Sequence, residues 1–204
     1  HVGLAAKLKD GSVRNLFSPA DSQKDFLSPI GWGALMGILK NYEAIGAFIS
    51  ASNDAFNRLR PGFEAPVCIV ASVGHNVTLP SRNRTVLVGL IRENNNPAAT
   101  RFEVRSPNPH SNTYLTLAAL CQGMLDGITY GLAHGRTNVE LEREFSKAPG
   151  EPSGYLEAGR AYRSEEDVFE AYTQDERDRL FGVPPATVWE TLANLERYPK
   201  KTAI

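Results

Sequence analysis

Between Arg58 and Arg105 the chain concentrates side chains able to bind and transfer charged groups: Arg58, Arg60, Glu64, Arg82, Arg84, Arg92, Arg101, Glu103 and Arg105. Arginine is a permanent cation whose planar fork matches carboxylate and phosphate oxygens. Arg101, Glu103 and Arg105 fall at every second position, so on a strand all three share one face. Phe102 and Val104, between them, make the other face apolar. Such a strand either carries ordinary ion pairs in water or lines a polar cleft. The sequel favours the cleft: Ser106-Pro107-Asn108-Pro109 is a stiff loop that opens directly into the most apolar helical stretch of the chain, and strand ends joined to buried helices commonly carry sites. Arg60 and Arg82 read as surface or outer cations. His75, His110 and His134 have no ligand spacing and read as surface or loop residues.

The elements that would position this set follow from periodicity and turn chemistry. His1–Leu8 reads as a short strand ended by the turn signal Lys9-Asp10-Gly11. Ser28–Ser50 has apolar residues at helical spacing, with Ser28 as cap and Pro29 in the first turn. The stretch 51–66 reads as a shaped loop. Val67–Val73, Thr85–Ile91 and Thr100–Arg105 read as strands, together an antiparallel set, with Gly74–Pro80 a polar turn. Asn112–Tyr130 is apolar nearly all round and predicts a buried helix ended by Gly131 or Gly135. Further on, Ser164 with Asp167 resembles a helix cap, and Val188, Leu192 and Leu195 predict a helix after Pro184-Pro185. The fold class is therefore α+β, an antiparallel sheet packed with helices. Residues 1–135 form its core and 136–204 a C-terminal helical segment of the same domain.

Composition excludes several classes. Lys plus Arg number 22 against 23 Asp plus Glu, so no basic field calls for nucleic acid. No apolar run of about 18 residues predicts a membrane span, and no stretch of the sequence reads as a signal peptide. Cys68 and Cys121 both lie in apolar runs and read as buried free thiols, which fits a reducing cytoplasm. The chain begins at His1 without an initiator Met and reads as a fragment or processed piece.

Four blocks carry a specific resemblance. Phe102-Glu103-Val104-Arg105-Ser106-Pro107-Asn108-Pro109, followed by Asn112-Thr113-Tyr114-Leu115 and Gly123-Met124-Leu125-Asp126-Gly127-Ile128, resembles the E-V-R-x-P-D-P-x-x-N-P-Y-L and G-L-D-G-I motifs of the glutamine synthetase catalytic domain. Arg58 to Pro66 resembles its R-L-V-P-G-Y-E-A-P, and Ser81-Arg82-Asn83-Arg84-Thr85 its S-A-R-N-R-S. His1 with Lys9-Asp10-Gly11 resembles the second His of its M-H-x-H-x-S and the turn after it. The matches keep the family's order over about residues 1–130.

The resemblance implies the glutamine synthetase/guanido kinase-like fold and an ATP-dependent ligation of ammonia to L-glutamate through γ-glutamyl phosphate. It implies that Glu103 binds Mg²⁺ or Mn²⁺, a hard cation suited to carboxylate oxygen. Arg58 and Arg105 would hold the glutamate carboxylates. Arg84 would bind phosphate and stabilise charge during transfer. Arg101 and His1 would approach the nucleotide. Glu64 would close the site and deprotonate ammonium. Asn112 and Tyr114 read as structural. The resemblance also implies a homo-oligomeric ring with sites between subunits, and upstream segments carrying further metal ligands, without which this piece is expected to bind metal and ATP poorly.

The chain departs from the pattern in places. Gly89 stands where the family has a further arginine, leaving Arg92 or Arg82 to supply that cation or phosphate handling to differ. Gly3 stands at a family serine, Asp54-Ala55-Phe56-Asn57 replaces N-S-Y-K, and an insertion near Val73–Pro80 is expected to lengthen a hairpin before Arg84. These changes keep two alternatives open: a γ-glutamyl-amine ligase that takes an amine in place of ammonia, and a non-catalytic assembly relative.

Overall fold

The computed structural model describes residues 1–50, 68–74, 76–78, 86–93 and 95–145. The sequence-predicted sites Arg58, Glu64 and Arg84, together with Arg60, Arg82, His75 and the helices expected after residue 164, lie outside the described residues.

The chain opens with strands β1 (Ala5–Lys7) and β2 (Val13–Asn15), paired antiparallel with Ala6 opposite Arg14. Gly11, at φ +86°, supplies the left-handed turn residue between them. The sequence pattern revealed β1 and its turn but not β2, whose three residues are too short for alternation to register.

Ser28 caps helix α1 (Pro29–Lys40) by accepting a hydrogen bond from the Gly31 amide at 3.0 Å, with Pro29 in the first turn as expected. The single helix predicted through Ser50 is in fact two. Asn41 adopts φ −94°, ψ 3° and turns its amide back to the Gly37 carbonyl at 3.0 Å, and helix α2 (Tyr42–Ile49) starts anew. A short polar side chain that bonds its own backbone competes with helix continuation, and apolar periodicity does not register that.

Strands β3 (Cys68–Ser72), β4 (Val86–Glu93) and β5 (Asn96–Val104) form one sheet in that order. β4 and β5 are an antiparallel pair, with Gly89 opposite Glu103 and Leu90 opposite Phe102. β3, however, runs parallel to β4, with Ser72 opposite Gly89. The expected all-antiparallel set is thus corrected. β3 and β4 are therefore not the two arms of the lengthened hairpin expected before Arg84, because a parallel neighbour cannot be reached by a tight turn. The α+β class stands. On the far side of β5, Val2 and Phe102 exchange both backbone hydrogen bonds at 2.8 Å, so the N-terminal residues extend the sheet.

Helix α3 (Thr113–Ala133) is capped by Asn112, which accepts from the Tyr114 and Leu115 amides, in keeping with its structural reading. It lies against α1 through glycines. A Cβ on Gly33 would stand 2.9 Å from the Gly127 carbonyl oxygen, and one on Gly37 would stand 2.8 Å from the Gly127 nitrogen. The two helix backbones touch there, which explains Gly127 as a packing residue, whereas a Cβ on Gly123 would make only ordinary contacts, the nearest 3.4 Å from the Gly37 carbonyl oxygen. Because small residues make this contact, the larger ones point outward: Tyr114, Leu117, Leu125 and Leu132 are exposed, and so is Cys121. The expectations of a fully buried helix and of a buried Cys121 thiol are corrected accordingly; the Cys68 side chain lies outside the described residues. Helix α3 ends at His134, with Gly135 at φ +58°. Thr137 and Glu140 then form a reciprocal cap for helix α4 (Asn138–Phe145), whose Leu141 is fully buried near Gly131.

The core gathers Phe17, Phe26, Trp32, Leu35, Leu39, Ile45, Leu90 and Phe102 between the sheet and helices α1 and α2. Phe17 and Phe102 stack with ring centroids 4.5 Å apart.

Candidate active site

Strand β5 sets the site. Phe102 is fully buried, while Arg101, Glu103 and Arg105 are partly exposed on the opposite face, as the alternation requires. Arg105 Nη1 lies 3.4 Å from Glu103 Oε1; the Arg105 side chain is 15% exposed and the Glu103 side chain 37%. The contact is long for a charge-assisted bond, whose usual reach is about 2.7–2.9 Å, so it orients the pair without consuming the carboxylate. Arg101 is turned along its own strand, and its Nη1 donates to the Ala99 carbonyl at 2.8 Å.

The register brings more residues to this face. Val2 pairs with Phe102 antiparallel, so continuing that register by one residue sets His1 opposite Glu103 and Gly3 opposite Arg101. A Cβ on Gly3 would meet Arg101 Cβ at 3.7 Å, an ordinary contact, so the geometry does not demand glycine there. On the other side, Gly89 lies opposite Glu103. His1, Glu103, Gly89 and Ser72 therefore form one row across the sheet. The structure thus brings together His1, Arg101, Glu103 and Arg105 among the sequence-predicted residues. The position of Gly89 beside Glu103 was not readable from sequence, since cross-strand register is set by turns and core packing rather than by local pattern.

The loop that closes this end of the strand is tied to helix α2. Ser50 Oγ donates to the Ser106 carbonyl at 2.8 Å, Ser111 Oγ donates to the Ile49 carbonyl, and Thr116 Oγ1 donates to the Phe48 carbonyl at 3.2 Å. These bonds hold the strand end and the start of α3 together, so Arg105 sits on a fixed support.

Arg92 does not belong to the face. Its Nη2 donates to the Ser22 carbonyl at 2.6 Å and its Nη1 to the Asp25 carbonyl at 3.2 Å. The guanidinium lies 5.9 Å from the ring centre of Phe26, a core residue. Burial pulls its pKa below the ordinary arginine value. Arg92 therefore clamps the loop before α1 on the core side of the sheet, and it is removed as a substitute for the arginine missing at Gly89. His110 and His134 are exposed, as read from the sequence. Among the described residues no three His, Cys, Asp or Glu side chains gather as a metal cage, and no helix is long and apolar enough to cross a membrane.

The fold is an α+β domain in which strand β5 turns Phe102 into the core and carries Arg101, Glu103 and Arg105 on its opposite face. The family model described as glutamine synthetase, catalytic domain, matches residues 1–153, and the chain belongs to that family. Among curated relatives, it is 34% identical over 165 residues to a glutamine synthetase of Clostridium saccharobutylicum, covering 78% of this chain and 34% of that protein. It is 40% identical over 114 residues to a glutamine synthetase of Aquifex aeolicus, covering 56% of this chain and 22% of that one. The fold is similar to that of a Plasmodium falciparum glutamine synthetase solved by cryo-electron microscopy, with TM-score 0.56 and 21% identity over 98% of this chain and 39% of the other. The chain thus spans about a third or less of the length of these two curated relatives.

Proposed function

We propose that the protein ligates ammonia to L-glutamate at the expense of ATP, through γ-glutamyl phosphate. The observation that carries this reading is the face of Arg101, Glu103 and Arg105 over a buried Phe102, in a chain of this family. Glutamate brings two carboxylates and ATP a polyphosphate, and a transferring phosphoryl group needs cations fixed in advance around it. Arg105 and Arg58 hold the substrate carboxylates. Arg84 steadies charge on the phosphate. Arg101 and His1 border the nucleotide. Glu64 takes a proton from ammonium, which leaves the nitrogen lone pair able to attack the acyl phosphate carbon while phosphate departs.

A divalent cation fits Glu103. The carboxylate is a hard oxygen donor, partly exposed, and its contact to Arg105 at 3.4 Å leaves acceptor capacity open. Mg²⁺ or Mn²⁺ held there would neutralise phosphate charge and orient it. One carboxylate is an incomplete coordination shell, so further ligands come from outside the described residues, in keeping with a ring of subunits whose sites lie between neighbours. We place the protein in the cytoplasm, where ATP and glutamate are supplied.

A phosphate-release assay on the product of the complete reading frame tests the reading. Glutamate and ammonium together are expected to stimulate release. Stimulation by primary amines with none by ammonium would transfer the reading to a γ-glutamyl-amine ligase. No stimulation by either would leave a non-catalytic relative.

A further inference from the structure

Helix α3 leaves an apolar stripe uncovered. Tyr114, Leu117, Cys121, Leu125, Ile128 and Leu132 recur every three or four residues, so they line one side of the helix. That side is turned away from Gly123 and Gly127, which meet α1. Tyr114 is 85% exposed, Leu125 56% and Leu132 65%; Leu117 and Cys121 are exposed and Ile128 is half-buried. From Tyr114 to Leu132 the stripe runs about 27 Å, at about 1.5 Å per residue. A helix that is apolar all round is normally covered all round, and a contiguous exposed apolar patch marks a place where something docks.

The course of the chain constrains what docks. Helix α4 folds back on the C-terminal end of α3, where Leu141 is buried near Gly131. The described residues therefore end at Phe145, a helical turn beyond Leu141 and close to the Leu132 end of the stripe. Residues 146–204 follow. In the helix expected after Pro184-Pro185, Val188, Leu192 and Leu195 fall at i, i+4 and i+7, with Glu190, Asn194 and Arg197 on the other side. So short an amphipathic helix is marginal in water by itself and needs an apolar surface. Ala118 and Cys121 keep the middle of the stripe low, which suits large side chains such as Trp189 and Leu192. A second copy of the chain fits less well. One helix side offers on the order of a few hundred Å², below the about 800 Å² per partner of a stable interface. A tethered segment instead meets the stripe at an effective concentration in about the millimolar range.

We propose that the exposed stripe of α3 is the docking face for the chain's own C-terminal segment, which binds it through Val188, Leu192 and Leu195. Docking completes the cover of α3 and ties the end of the chain to the helix that follows the Arg105 loop. The contact does not depend on which reaction the protein performs.

Cys121 lies on the stripe and serves as the probe. In the product of the complete reading frame, Val188→Cys, Leu192→Cys and Leu195→Cys are made singly and oxidised with copper phenanthroline. Glu190→Cys and Asn194→Cys are controls from the polar side. Non-reducing electrophoresis and peptide mass spectrometry identify the bonds. A disulfide needs Cα atoms within about 7 Å, so at least one of the three is expected to bond Cys121 within one chain, and neither control. Leu192→Asp, checked for folding by circular dichroism, is expected to raise the reaction rate of Cys121 with a thiol reagent by about tenfold or more, as the cover is released. No bond from any of the three, or equal bonding from the controls, would overturn the proposal. Bonds formed only between chains would overturn it in favour of a second copy. Unchanged Cys121 reactivity in Leu192→Asp would also end it.

Discussion

Gly37 on α1 and Gly127 on α3 approach so closely that a Cβ on Gly37 would lie 2.8 Å from the Gly127 nitrogen. The atom in the way is backbone, so no rotamer change relieves the contact. Gly37→Ala is expected to force the helices apart and to destabilise the domain by about 1–3 kcal/mol, the usual range for overpacking. Urea denaturation measures it. A change below about 0.5 kcal/mol, the scale of an ordinary surface substitution, would mean that the helices do not meet as described.

The clamp made by Arg92 predicts a different pattern. Arg92→Met is expected to cost about 1–3 kcal/mol of stability, because the Ser22 and Asp25 carbonyls lose charged donors. Mn²⁺ and nucleotide affinity should stay unchanged, since the side chain lies on the core side of the sheet. Calorimetric binding to the folded variant checks this. A large loss of nucleotide affinity with little loss of stability would return Arg92 to the phosphate-handling set.

Arg105 is expected to require its fork. Arg105→Lys retains the positive charge but presents a point donor in place of two parallel ones. On the proposed function, KM for glutamate should rise by about tenfold or more while KM for ATP moves little. Equal changes in both constants, measured by steady-state kinetics, would place Arg105 elsewhere in the mechanism.

The cap of α4 makes a pH prediction. The Thr137 amide and hydroxyl, both hydrogen-bonded to Glu140, hold its carboxyl below the ordinary glutamate value, with smaller help from Arg136 and Arg143. A carboxyl whose folded pKa is depressed adds stability that is present above its unfolded pKa. That contribution is lost as pH falls through the folded value. Nuclear magnetic resonance titration should find the Glu140 carboxyl low in the native protein and higher in Thr137→Ala. An unchanged titration in that variant would remove the cap as the cause.

Much of this arrangement was legible in the sequence because it depends on neighbours along the chain. The alternation of Arg101, Phe102, Glu103, Val104 and Arg105 fixed one charged and one buried face. Ser28 with Pro29 and Asn112 before Tyr114 marked helix starts through capping bonds that span only two or three residues. The blocks around Glu103 and Gly123 marked the family.

What tertiary structure decided depends on contacts between distant segments. The parallel course of β3 beside β4 rests on which side of the sheet the chain returns to, and local composition does not encode that. The outward turn of Cys121, Leu117 and Leu125 follows from the glycine contact between α1 and α3, which fixes the rotation of a helix that is apolar all round. Above all, the sequence named Glu103 and noted Gly89, but only the register of β4 on β5 set them opposite each other. Register is a property of paired strands, so neither strand by itself contains it.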